Sequence, residues 1–227
     1  NDLAVMGAKP LWLMATLLFP EGTTSGSITK TFNELIQACE NLGISLVGGH
    51  TEITYGISRP IAVGAMFGEV KKKRVVLTSG ARPGDVILLT KGIAIEGASI
   101  LARDAANDLK RAGIKSNILK RARDFIFDPG ISVLKEAILA CDNVKLNCMH
   151  DPTEGGLVTG LHEIAKAAGV GMVVNADRIP VLPECQSICE ALGVDPLGLI
   201  SSGALLATLS PLEASKLIKI LADQGIP

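Results

Sequence analysis

The chain alternates short apolar runs with longer amphipathic stretches, and two of the apolar runs empty into loops rich in glycine, acid and hydroxyl. These loops are Val47-Gly48-Gly49-His50-Thr51-Glu52 and Met149-His150-Asp151-Pro152-Thr153-Glu154-Gly155-Gly156. Strands and helices bury their apolar faces at different periods, so a chain carrying both periods in alternation folds as α/β or α+β. The pattern leaves the order of the strands open. A loop at the carboxyl end of a strand, followed by a helix, is also where α/β folds hold ligands.

Along the chain, Leu3 to Met14 reads as apolar and helix-like, divided or ended by Pro10. Residues 20 to 27 read as a Gly/Thr/Ser loop, and Gly22 to Gly26 as a surface segment. An amphipathic helix is expected over Thr31 to Leu42, stopped by Gly43. A short buried strand follows over Ile44 to Val47, and a second over Pro60 to Phe67. The run Lys71 to Arg74 reads as a solvated connector. A boundary there divides the chain into an N-terminal domain, 1–75, and a C-terminal domain, 76–227. In the second domain strands are expected over 85–90, 144–149, 171–175 and 204–209. Helices are expected over 95–111, 116–127, 130–141, 156–168 and 183–192. A last helix begins after Ser210-Pro211-Leu212-Glu213, where a cap Ser precedes Pro at the first helical position and Glu stands three residues on. The chain opens at Asn1 inside an apolar segment and stops after a helix pattern, so both ends are expected to be cut.

Composition narrows the function classes. Lys plus Arg number 22 and Asp plus Glu 23, a net charge of −1, so no nucleic-acid partner bound by a broad basic surface is expected. One Trp, one Tyr and five Phe offer little for stacking on bases. A 48% hydrophobic content supports a buried core rather than disorder. No apolar run reaches about 18 residues, so no membrane partner is expected. Five cysteines form no regular framework and fit reduced thiols in the cytoplasm.

Each candidate loop has two readings. Gly48-Gly49 can bring the backbone close to a phosphate, with Thr51 as a further donor and Glu52 as a magnesium ligand or proton acceptor. The same residues also read as a tight turn with a capping Thr. Asp151 sits where a hard-metal ligand belongs, and Gly155-Gly156 at a helix start leave amides open to an anion. Asp151 or Thr153 reads equally as a helix N-cap. Asn1-Asp2 alone are ordinary caps, and Lys91 can reach a phosphate or stand as a solvated loop lysine. His162-Glu163 lacks the second His of a zinc protease. Cys185 and Cys189, four apart on one helix face, read as buried thiols.

The order of the pieces adds weight. Asn1-Asp2-Leu3-Ala4 with Gly7-Ala8-Lys9-Pro10, the Gly48-Gly49-His50-Thr51 loop and the Arg82 to Thr90 segment resemble the aminoimidazole ribonucleotide (AIR) synthase superfamily. His150-Asp151-Pro152-Thr153-Glu154-Gly155-Gly156-Leu157 is similar to the motif of its hydrogenase expression/formation branch, HypE. Ile179-Pro180-Val181 and Ala191 to Pro196 also look like that branch. The resemblance implies a truncated N-terminal α/β domain and a C-terminal α+β domain, homodimerisation through the former and a maturation-protein partner. It implies ATP and Mg²⁺, with ATP activating an amide- or thiocarbamoyl-type oxygen. Selenophosphate synthetase and thiamine-monophosphate kinase chemistry are the variants, and a non-catalytic scaffold is the alternative. By motif, Asp2, Asp151 and Glu52 are the implied metal ligands. Asn1, Asp2, Gly48, Gly49, Thr51, Lys91, Thr153, Gly155 and Gly156 are the implied nucleotide neighbours, and Asp151 and His50 the implied catalytic groups. His50 stands where several branches place an acid. The acidic, Gly-rich segment that precedes Asn-Asp in the superfamily is not in this sequence, nor is the branch's terminal cysteine.

Overall fold

Two separate three-stranded sheets organise the chain in a computed structural model that describes all residues, 1–227. Residues 8–72 form one compact unit; residues 1–7 and 73–227 form the other. The first seven residues thus pack with the second unit, although the sequence pattern joins them to the first. Ala4, on the one-turn helix α1 (Asp2–Val5), is the reason: it is buried in a cluster with Ala137, Leu205 and Leu217.

The unit of residues 8–72 consists of β1 (Lys9–Pro20), α2 (Ser25–Leu42), β2 (Ser45–Thr54) and β3 (Ile61–Glu69). The expected helix through Leu3 to Met14 is instead α1 followed by strand. Pro10 sits at the start of β1, beside a register shift between Pro10 and Trp12, where a missing N–H is tolerated. The Trp, Leu, Thr and Phe that follow suit a pleated surface. Helix α2 starts earlier than its apolar periodicity indicates, because the Thr24 hydroxyl accepts from the Ser27 amide at 3.3 Å and caps it. Gly43 ends it in the left-handed conformation, as expected.

Strand β1 is central, with β2 parallel on one side and β3 antiparallel on the other. The short buried strand expected over Ile44 to Val47 is a ten-residue edge strand that is mostly exposed. It runs straight through Gly48-Gly49 and makes no turn there. A register shift opposite Leu13 and Met14 takes up the extra residue as a bulge.

In the second unit the order is β4 (Val86–Leu89), α3 (Ile95–Asp104), α4 (Ala106–Arg111), α5 (Ser116–Asp124), α6 (Leu134–Asn143), β5 (Leu146–His150), α7 (Gly156–Ala168), α8 (Pro183–Leu192), β6 (Leu206–Leu209) and α9 (Pro211–Asp223). Strand β6 lies between β4 and β5, antiparallel to both. All four of its residues are buried. Leu205, Ala207 and Leu209 pack with Leu217 and Leu221 of α9, while Leu206 packs with Ile93, Leu157 and Ile164. Ile95, Ala98, Leu119 and Ile188 of α3, α5 and α8 form a further cluster.

Three expectations fail here. The helix of 95–111 breaks at Ala105, and the one expected from Gly130 begins only at Leu134, after a π turn over Ile126–Gly130. Residues 171–175 form no strand and join no ladder, and within the apolar run there Val173 is 97% exposed. Helix α7 spans the expected residues, ended by Gly169, and Ser210 accepts from the Glu213 amide to cap α9. No helix is long and apolar enough to cross a membrane.

Candidate functional site

The buried strand β5 fixes the site's first residue. Its last residue, His150, and the following Asp151 leave the sheet at a point where Cys148 and Met149 are already fully packed. Asp151 is only 5% exposed. Burial pushes its carboxyl above the usual range, and the nearby Asp2 carboxylate adds to the rise, while His150 pulls the other way. Helix α1, which carries Asp2, packs against β5, so two aspartates distant in sequence belong to one unit. His150 turns to Glu163 of α7, with Nε2 2.7 Å from the carboxylate, and ties the loop to the helix it feeds.

The loop itself is held by backbone. The Thr153 carbonyl accepts from the amides of Gly156 at 3.0 Å and Ser201 at 3.4 Å, and Leu197 O takes the Val158 amide. Neither Asp151 nor Thr153 caps α7: its N-cap is Gly155, in the left-handed conformation. Gly155 and Gly156 serve the chain's own packing. A Cβ on Gly156 would lie 2.5 Å from Leu197 O, and one on Gly155 2.1 Å from the Thr159 hydroxyl. The amides of Gly156 and Val158 are thus already engaged, which leaves less of this helix start open to an anion than the motif indicates.

Asn1 lies against a neighbouring loop. Its Nδ2 donates to Ile131 O at 2.9 Å, and its Oδ1 accepts from the Val133 amide at 3.0 Å. Lys91 reaches the same loop and not an open cleft. Its ammonium donates to Gly130 O at 3.1 Å and Ser132 O at 2.8 Å, and stands 2.7 Å from the Glu136 carboxylate. Both side chains of that pair are 5% exposed. A lysine so enclosed is neither the solvated residue nor the free phosphate donor that the sequence offers. Glu136 and Glu163 carry no sequence signal of their own. Only a helix-face pairing would have exposed Glu136, and Glu163 appears only inside a failed zinc motif.

In the unit of residues 8–72, register sorts the other candidates by face. His50 and Glu52 lie beside Thr16 and Leu18 of β1, and Gly49 and Thr51 beside Ala15 and Leu17 on the opposite face. His50 Nε2 is 3.7 Å from the Glu52 carboxylate, and both are exposed. Gly49, at φ +143°, is required by its neighbour strand: a Cβ there would lie 1.8 Å from Ala15 O. A cavity of about 390 Å³ runs along Leu46 to Thr51, with Ala15 and Phe32 as its other walls. Gly48, His50 and Thr51 line it.

The donor set fits a hard cation in a limited way. No three of His, Cys, Asp and Glu stand together in metal-binding distance. Magnesium is commonly held by one or two carboxylates with water and phosphate oxygens completing its shell. The Asp2 carboxylate adds to the rise of the Asp151 carboxyl, a repulsion of the kind that a bound cation relieves.

Comparison with known proteins divides the chain near residue 70 and counts residues 1–7 with the N-terminal part. Residues 1–70 match the AIR synthase related protein N-terminal domain, and 82–227 match the AIR synthase related protein C-terminal domain. A hydrogenase expression/formation protein of Methanocaldococcus jannaschii is 30% identical over 226 residues, covering 100% of this chain and 64% of that protein. Carbamoyl dehydratase HypE of Cupriavidus necator is 32% identical over 224 residues, 96% of this chain and 59% of its own length. The chain thus spans about three fifths of the length of these curated relatives. A crystal structure of hydrogenase maturation protein HypE in complex with ATP superposes with a TM-score of 0.75 at 23% identity, covering 97% of this chain and 63% of that one. A HypE-HypF complex structure gives 0.79 at 25% identity, covering 98% and 70%.

Proposed function

Because the chain belongs to the AIR synthase related family, we propose that it is the core of an ATP-dependent enzyme that activates an amide- or thiocarbamoyl-type oxygen by phosphoryl transfer, in hydrogenase maturation. The observation that supports this reading is the burial of Asp151 just past the end of β5, with α1, which carries Asp2, packed against the same strand. The names and ATP complex of the relatives support it. A bound magnesium ion would supply charge neutralisation for the triphosphate. Asp2 and Asp151 would hold it, and the low exposure of Asp151 keeps competing water from its carboxyl. The Glu163 contact holds His150, and with it the strand end, while Asn1 fixes the start of α1. Asn1, Thr153, Gly155 and Gly156 are the proposed nucleotide neighbours in this unit.

In the sheet of residues 8–72, Gly48, Gly49 and Thr51 are proposed as phosphate neighbours, Glu52 as a metal ligand and His50 as a proton carrier. Their support is proximity: the His50 imidazole stands 3.7 Å from the Glu52 carboxylate, on the face of the sheet that also carries Trp12 and Met14. The same sheet supports a homodimer. Trp12, Met14, Ile61, Val63 and Phe67 share one face by register and are all more than a third exposed, an apolar patch that a second copy would cover. A maturation protein is the proposed further partner, on the strength of the HypE-HypF complex. Five thiols without a disulfide support a reducing, cytoplasmic setting.

Titration calorimetry with ATP, with and without Mg²⁺, tests the reading. Magnesium-dependent binding that is lost in Asp151→Asn is the expected result. Absence of ATP binding at millimolar nucleotide with magnesium present would remove it. Product analysis with carbamoyl, selenide and thiamine-monophosphate acceptors then assigns the oxygen that is activated.

A further inference from the structure

Lys91 is built into the second unit in an unusual way. It has φ +59°, a left-handed conformation that a long side chain adopts only when its surroundings hold it there. Its amide donates to Pro227 O at 2.7 Å, so the backbone is held as firmly as the side chain. The ammonium spends its three protons on Gly130 O, Ser132 O and the Glu136 carboxylate, with no donor left for a ligand. Gly130 to Val133 is thereby gripped through alternate carbonyls. From the other end, Asn1 grips the same loop at Ile131 O and the Val133 amide. The residue after Asn1 is Asp2.

We propose that Lys91 is a positioning residue: paired with Glu136 it fixes the loop 130–133, and through the Asn1 side chain that loop fixes α1, which carries Asp2 and packs on β5, the strand that leads into Asp151. The chain of contacts contains no free link. Each polar atom named above has a partner at hydrogen-bond distance, and the Lys91–Glu136 pair is shielded from water, so its attraction is not screened as a surface pair would be. The proposal assigns a role to Glu136, which the proposed mechanism does not use. It rests on the reading of Asp2 and Asp151 as the cation-holding pair, but the linkage itself is measurable without nucleotide.

A double-mutant cycle with two readouts tests it. The variants are Lys91→Met, Glu136→Gln and both together; the double variant leaves no buried charge unpaired, which guards against simple unfolding. The first readout is amide exchange at Val133, whose N–H is held by Asn1 Oδ1. Loosening of the loop speeds Val133 exchange at least about tenfold relative to Leu209 in all three variants. Unchanged Val133 exchange in a folded variant overturns the linkage, whether or not the protein binds ATP. The second readout is the magnesium concentration for half-maximal nucleotide binding. Loss of a group that orients a metal ligand costs about 10–100-fold in metal affinity. All three variants should therefore shift that concentration upward at least about tenfold, with the double variant no worse than either single one. Were Lys91 a phosphate contact, Glu136→Gln would free it and tighten or preserve nucleotide binding while Lys91→Met weakened it; that split overturns the proposal. A wild-type protein that binds no ATP refutes the proposed function instead, and exchange at Val133 still decides the linkage.

Discussion

The two sheets of this chain use the same number of strands to opposite ends. In the sheet of β4, β6 and β5 the central strand is buried at every residue, and apolar side chains of both its faces are claimed by helices and loops of the same unit. In the sheet of β2, β1 and β3, Leu17 and Phe19 are buried on one face, while Trp12, Met14 and Val63 on the other remain open. The first sheet is a scaffold that carries Asp151 on a fixed strand end. The second offers a surface, and its candidates His50 and Glu52 are exposed on it. The difference teaches that rigidity around Asp151 is internal to the unit, whereas β1 and β3 leave one apolar face uncovered by their own unit.

Breaking the buried ion pair gives the largest effect. Lys91→Met leaves the Glu136 carboxylate enclosed without a partner, and the expected loss of stability is about 3–5 kcal/mol. Adding Glu136→Gln should recover most of it. Denaturant titration of the single and double variants checks both numbers. A loss below about 1 kcal/mol for the single variant would show that water reaches the pair and that the second unit is softer than described.

Next comes packing. Leu206→Ala in β6 removes a fully buried side chain and should cost about 2–5 kcal/mol. Val63→Ala, at a position 58% exposed in β3, should cost within about 0.5 kcal/mol in the isolated chain. The same Val63 change should weaken self-association if the open face is covered by a second copy, which light scattering over a concentration series measures. Equal losses at the two positions would erase the contrast between the sheets.

Gly49→Ala is expected to cost more than 1 kcal/mol, since a left-handed-side φ and a backbone oxygen 1.8 Å from the new Cβ both oppose it. Gly22, with open space around it, should lose only the conformational part. Thermal melts of the two variants make the comparison. An equal cost would mean that β2 shifts freely along β1.

These cases also show what was legible in the sequence. Helices with a full set of signals are placed correctly: Gly169 after α7, Gly193 after α8, and Ser210-Pro211 before α9. Pairing across the chain is not local, and it misled the local reading. Residues 9–14 look helical until β3 and β2 are placed beside them, and the apolar run of 172–174 reads as a strand but finds no ladder. Gly-Gly pairs announce close approach without saying to what. At Gly49 and Gly156 the approach is to the chain's own carbonyls. The place of Asp151 at a strand end is legible because an apolar run ends there and a helix start follows. Lys91 was misplaced because its partner Glu136 lies 45 positions away on a helix face with no motif around it.

The smallest effect probes Asp151 itself. Burial and the Asp2 charge raise its folded-state pKa above the unfolded value. The sign follows: the protonated acid is the form that folding favours, so this contribution is fully present below the ordinary carboxylate pKa of about 4. It is lost as pH rises through the raised folded value, and stays lost above it. Asp151→Asn is neutral at every pH and does not lose it. The variant should therefore match the wild type near pH 3 and melt higher, by on the order of 2 °C, near pH 8. Millimolar Mg²⁺ should narrow the gap from the wild-type side, because the cation relieves the repulsion that the variant lacks. Scanning calorimetry across that pH range with and without Mg²⁺ measures it. A gap that closes toward high pH would mean the Asp151 carboxyl is stabilised as an anion by the fold, and would remove the electrostatic ground for pairing it with Asp2.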